Sequence, residues 1–149
     1  MGGAIGGAFK LTKAGTGRLA LNGANTYSGG TDVTAGTLSL LSSGVIDGAI
    51  NVASGATLNG TGTINFDIVD DTADVFTSAG TVDLAGLTLD LDFTGTQTAG
   101  TLYTILSGSY SGTFADVLDL GEYSITYGAE SITIAVPEPT SLAAVGLVG

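Results

Sequence analysis

The chain has no cysteine, no histidine and no tryptophan, only 2 prolines among 149 residues, and 3 basic residues against 14 acidic ones. Each scarcity removes a class of protein. Without cysteine there is no disulfide framework and no thiolate metal site. Without histidine or cysteine the usual nucleophile–base triads cannot be assembled. The basic residues, Lys10, Lys13 and Arg18, all fall near the N-terminus, and the net charge is −11. From Leu19 onward no cation is present to neutralise a phosphate, which argues against nucleic-acid binding and against a basic patch for anionic lipid. Met1 to Gly7 carries neither a basic n-region nor an apolar h-region, so it does not read as a secretory signal, and Gly6 stands where a myristoylation signal wants Ser or Thr.

What is abundant is glycine, 25 residues, spaced between short aliphatic stretches without a Gly-X-Y period. Mean hydropathy is +0.46, spread over many short runs. Leu19 and Leu21 alternate with Arg18 and Ala20, the period-two pattern of a strand with one buried face. Turns follow at Asn22 to Asn25, at Ser28 to Gly30 and at Ala35-Gly36, each leading into Thr, Val or Leu. The triplet Gly-Thr-apolar recurs at Gly36, Gly62, Gly80, Gly100 and Gly112 with uneven spacing. Short strands at near-regular intervals predict an all-β fold, a right-handed parallel β-helix with coils of unequal length; a β-sandwich is the alternative. In the solenoid, Leu19, Leu21, Val33, Leu38, Ile50, Val52, Leu58 and Ile64 point inward and Asp32 and Asp47 outward.

The thirty residues from Leu11 to Leu40 are the most regular. Leu11-Thr12-Lys13, a Gly-rich turn, a short aliphatic strand, Asn25-Thr26-Tyr27, Gly29-Gly30-Thr31 and Gly36-Thr37-Leu38 together resemble the autotransporter-associated β-strand repeat. That resemblance implies a passenger-type solenoid. Ile5 to Lys13 itself reads as repeat interior, so the chain is expected to begin partway into a longer solenoid; a disordered Gly-rich leader is the equal alternative.

Residues 1–70 are assigned to the solenoid coils, 71–135 to their continuation and a C-terminal β cap, and 136–149 to an extended, disordered or apolar tail. Asp67 to Asp74 interrupts the apolar rhythm and reads as a loop between rungs. Leu87, Leu89, Leu91 and Phe93 alternate with Thr88, Asp90 and Asp92, a strand with one apolar and one acidic face. Thr101 to Val117 resembles the terminal cap of autotransporter passengers, and Tyr123 to Ala135 reads as a hairpin turning at Tyr127 to Glu130. The tail is similar to the PEP-CTERM sorting signal at Val136, Pro137, Glu138 and Pro139. The resemblance implies recognition by exosortase, a membrane sorting enzyme, and delivery to the cell envelope, cell surface or extracellular matrix. Ten residues follow Pro139 and none is Arg, whereas that family adds a span of about twenty residues and an arginine cluster, so the signal reads as truncated or degenerate. The prolines are expected to keep everything from Val136 out of the sheet.

Candidate chemistry is sparse. Asp70-Asp71 is similar to the paired aspartates of pectin hydrolases, and two carboxylates suit glycoside hydrolysis, but the accompanying histidine and Arg-Lys pair are missing. Asp70, Asp71 and Asp74 are weak candidates for Ca²⁺, since their spacing matches neither the EF-hand loop nor the Gly-rich Asp nonapeptide. No cofactor is expected. The reading is a non-catalytic, exported structural or adhesive solenoid. A carbohydrate-binding solenoid, with surface polysaccharide as partner and Ca²⁺ assisting, is the alternative, and a polysaccharide-degrading enzyme comes third.

Overall fold

The computed structural model describes residues 3–138, and every regular element in them is a β-strand. The first coil contains β1 (Gly6–Gly7), β2 (Leu11–Lys13) and β3 (Arg18–Leu21), and the second β4 (Thr26–Tyr27), β5 (Thr31–Val33) and β6 (Thr37–Leu40). The third contains β7 (Val45–Asp47), β8 (Ile50–Val52) and β9 (Thr57–Gly60). The fourth is longer: β10 (Thr63–Val69), β11 (Thr72–Ala73), β12 (Phe76–Ser78) and β13 (Thr81–Val82). β14 (Thr88–Thr94) and β15 (Leu102–Gly108) form the fifth, followed by β16 (Asp116–Leu118), β17 (Ser124–Tyr127) and β18 (Ser131–Ala135).

Strands adjacent in sequence do not pair with one another, with the exception of two hairpins. Each pairs in parallel with its equivalent one coil away. One face stacks β2, β5, β8, β12 and β15, a second stacks β3, β6, β9 and β13, and a third stacks β7, β10, β14 and β16. This is the parallel β-helix, not the sandwich. Its interior is built from columns of in-register apolar side chains. Leu19, Leu38, Leu58 and Val82 form one, and Ile46, Ile64, Leu89 and Val117 another. Val33, Leu38, Ile50, Val52, Leu58 and Ile64 are fully or almost fully buried, as is Leu21. Leu19 is only partly covered, because β3 is the edge of its sheet. Stacking is what buries these short strands: a three-residue strand has no stable partner until the next coil supplies one.

The repeat's polar signature has a packing role. Asn25 is buried; its Oδ1 accepts from Ile5 N at 2.9 Å, and its Nδ2 donates to Gly23 O and Val45 O, both at 2.9 Å, so one side chain ties three coils together. Tyr27 is buried beside it, with its hydroxyl 2.7 Å from Thr31 Oγ1. Lys13, part of the repeat's Leu-Thr-Lys triplet, is 7% exposed. Its ammonium donates to Ala14 O and Gly15 O at 2.8 Å and to Ala35 O at 3.1 Å, holding the corner between the first two coils. Gly36 completes that corner. Its φ is +67°, and a Cβ there would meet Gly17 O at 2.3 Å and Gly15 O at 2.4 Å.

Asp67 to Asp74 is not a loop. β10 runs on through Asp67, Ile68 and Val69, with Ile68 fully buried, and then reverses in a tight hairpin onto β11, pairing Ile68 with Ala73 and Val69 with Thr72. Asp70 and Asp71 both have positive φ, 46° and 65°, the geometry of a type I′ turn. A pair of aspartates fills it in place of the usual Asn-Gly. The C-terminal hairpin forms as expected: β17 and β18 pair antiparallel, and β18 lies antiparallel along β15, covering the edge the fifth coil would otherwise expose.

Val136 departs from expectation. It is buried, its N–H donates to Thr101 O at 3.0 Å, and its carbonyl accepts from Gly100 N at 3.1 Å, so it continues the packed chain. Pro137 and Glu138 are exposed. Pro139 and the apolar remainder of the tail lie outside the described residues.

Candidate functional site

The outer surfaces of the three faces differ in chemistry. On the first, Thr12, Asp32, Asn51, Thr77 and Ser107 stand in a column. On the second, Arg18, Thr37, Thr57 and Thr81 form one column and Ala20, Ser39 and Asn59 another. Short hydrogen bonds run along the second: Arg18 Nε donates to Ser39 Oγ at 2.9 Å, and Ser39 Oγ to Asn59 Oδ1 at 2.6 Å. On the first flank Thr77 Oγ1 donates to Asn51 Oδ1 at 3.1 Å.

The third face is acidic. Asp47, Asn65 and Asp90 occupy one column and Asp67 and Asp92 the next. The β10–β11 hairpin folds Asp74 back beside Asp67, where the two bond reciprocally: Asp67 N–H donates to Asp74 Oδ2 and Asp74 N–H to Asp67 O, each at 2.9 Å. Carboxylate oxygens of Asp47, Asp67 and Asp74 lie within 4.8 Å of one another, all on half-buried residues. Burial, with Asp74 and Asp92 nearby and a Gly48 N–H bond opposing, raises the Asp47 carboxyl above the ordinary carboxylate value. Burial and then Asp47, Asp74 and Asp92 raise Asp67. The basic side chains are engaged in the first two coils, Lys10 in an ion pair with Asp32 at 3.2 Å and the other two as described.

Of the three aspartates singled out from sequence, only Asp74 reaches this cluster. Asp70 and Asp71 face the segment before β15. Asp70 Oδ1 accepts from Thr96 N at 2.9 Å, and Asp71 accepts from Thr98 N at 2.7 Å, from the Thr98 hydroxyl, and from Tyr103 Oη at 2.6 Å. Those bonds, Thr98's foremost, hold the Asp71 carboxyl below its ordinary value. Asp47 and Asp67 were missed because the sequence places them a coil apart. The signal that could have found them is an outward carboxylate recurring one coil later.

A shallow cleft of about 240 Å³ lies where the chain leaves β18, lined among others by Gln97, Glu122, Tyr123 and Glu138. The Tyr123 ring is stacked on Phe93, centroids 4.1 Å apart and planes 10° from parallel.

A parallel β-helix with two mainly polar flanks and one acidic face is thus the class the fold defines. Residues 11–40 match the family described as passenger-associated-transport-repeat, so the chain carries an autotransporter-associated repeat. A stretch of 63 residues, 40% of the chain, is 49% identical to the adhesin BmaC autotransporter of Brucella suis biovar 1 (strain 1330). The matched stretch spans 2% of that adhesin's length. No solved structure matches the chain.

Proposed function

We propose that the protein is an exported, non-catalytic solenoid with a structural or adhesive role at the cell surface. The observation that carries this reading is the passenger-associated-transport-repeat match at residues 11–40, folded as stacked coils, together with a 63-residue likeness to an autotransporter adhesin. The residues that would be asked to catalyse are otherwise employed: Asp70 and Asp71 form a turn and brace the segment of Thr96 and Thr98. The finer part of the proposal is delivery. Pro137-Glu138 followed by Pro139 is similar to the PEP-CTERM signal, and the exposure of Pro137 and Glu138 just past the tethered Val136 suits a segment that a sorting enzyme must grip.

The test is processing in an exosortase-bearing host. Fused through Gly149 to an apolar span and an arginine cluster, the chain should be cleaved near the triplet and appear at the surface, while Glu138→Ala stays uncleaved in the membrane. Equal processing of the two would refute the sorting role. A polysaccharide partner has one supporting observation, the cleft beside the stacked Tyr123, where an aromatic platform and two glutamates could hold a sugar ring. Loss of polysaccharide retention in Tyr123→Ala, measured against the parent, would favour it.

A further inference from the structure

The cleft where the chain leaves β18 has a lining of one chemical kind. Gln97 donates through Nε2 to Ile68 O at 3.4 Å and to Thr94 O at 2.7 Å, which leaves its carboxamide oxygen, an acceptor, to meet a ligand. The Tyr123 N–H is taken by Leu120 O and the Val136 N–H by Thr101 O, and Pro137 has no N–H to offer. The other polar side chains of the lining, beyond the Tyr123 hydroxyl, are Glu122 and Glu138, and an ionised carboxylate can only accept. Gly100 places the second of these. Its φ is +80°, and a Cβ there would clash with Glu138 Oε1, so the missing side chain is what lets that carboxylate fold back over the chain. The cleft is therefore rich in acceptors and poor in donors. No cation of the chain answers it, since Lys10, Lys13 and Arg18 are engaged in the first two coils.

An occupant of this cleft has to bring the donors and offset the charge, which rules out uronates and other anionic sugars. A protonated primary amine does both, with three N–H donors and one positive charge on a single nitrogen. Tyr123 sets the rest of the ligand. Its ring, stacked on Phe93, is a fixed aromatic wall beside the carboxylates, suited to the apolar face of a sugar ring and to an ammonium carried on it. At about 240 Å³ the cleft is smaller than the roughly 300–1,000 Å³ of sites that enclose a drug-sized molecule, and so takes one ring at a time. We propose that the cleft binds the amino-sugar units of a cationic polysaccharide, a glucosamine polymer with free amines. The inference rests on the polysaccharide reading of the same cleft and adds to it the charge of the sugar.

The experiment uses the full chain at about pH 6, where the carboxylates are ionised and an amine of this kind is charged. Calorimetric titrations compare the tetrasaccharides of glucosamine, of N-acetylglucosamine and of galacturonate. The glucosamine tetramer should bind at least about tenfold tighter than the acetylated one, the galacturonate tetramer should not bind, and added NaCl should narrow the gap. Glu122→Gln, at an exposed position, should reduce the preference to about threefold or less. Glu130→Gln removes the same charge at the far turn of the hairpin and should keep the full preference, which separates the cleft from the chain's overall negative charge. Tyr123→Ala should weaken both glucosamine-based sugars. Equal binding of glucosamine and its acetylated form by the parent would overturn this inference and leave the polysaccharide reading standing, whereas no binding of any of the three would overturn both. A preference lost as fully in Glu130→Gln as in Glu122→Gln, or a lysine peptide bound as tightly as the amino sugar, would also overturn it.

Discussion

Tyr103 donates a 2.6 Å hydrogen bond to Asp71 Oδ1, joining a buried residue near the start of β15 to the tip of a hairpin that sits one coil earlier. The same carboxylate takes the Thr98 amide and hydroxyl, so the hairpin tip, the segment of Thr98 and β15 meet at one group. Tyr103→Phe keeps the buried ring and removes only this bond. The Asp71 carboxyl should then titrate closer to its ordinary value, and the Thr98 amide should exchange faster, both readable by NMR. An unchanged Asp71 titration would mean that the tyrosine contributes nothing to the junction.

A backbone test falls on Gly36. Gly36→Ala forces a side chain into positive φ and against two carbonyls, and should cost about 1–3 kcal/mol or more. Gly17→Ala is the control, since a Cβ there meets nothing within 4 Å, and should shift stability by less than about 0.5 kcal/mol. Urea melts of the two variants decide it.

Acidity acts with two opposite signs. The Asp47, Asp67 and Asp90 carboxyls are raised, first of all by burial. Their favourable contribution is therefore complete below the ordinary carboxylate value and disappears as pH rises through the folded values. Metal-free protein should melt higher at about pH 4 than at about pH 7. Asp71 is lowered, so its contribution is present above the ordinary value and fades on further acidification. A melting series in EDTA should thus show a maximum on the mildly acidic side, flattened on its neutral limb when Asp47 and Asp67 are both changed to Asn.

Among the described residues, Val136 is the last buried one of the core. Ending the chain after Ala135 removes its side chain and its bonds to Gly100 and Thr101. Relative to a chain ending after Glu138, the shorter one should be less stable by about 2 kcal/mol, measurable by chemical denaturation. Equal stability would show that Val136 belongs with the tail.

The period-two faces were legible because most inward positions are Leu, Ile or Val, as at Leu38, Ile50 and Leu58. The C-terminal hairpin was legible for the same reason. What escaped was whatever depends on register between coils. Lys13 gives no local sign that three carbonyls surround its ammonium, since one of them, Ala35 O, arrives from the next coil. The turn at Asp70-Asp71 was hidden because aspartate is an uncommon choice where both residues need positive φ. Reading Asp67 to Asp74 as a loop then concealed the pairing of Asp67 with Asp74.

Leu11, Thr31, Ile50, Phe76 and Leu106 lie one above the next although the intervening chain grows longer in the later coils. Extra residues are spent sideways, in the β10–β11 hairpin and in the longer β14, and leave the vertical rise untouched. The reach of the molecule along its axis is therefore counted in whole steps of about 4.8 Å, one per coil, however many residues a coil contains. Surface features can enlarge on one flank without altering how far apart the two ends of the coil stack stand.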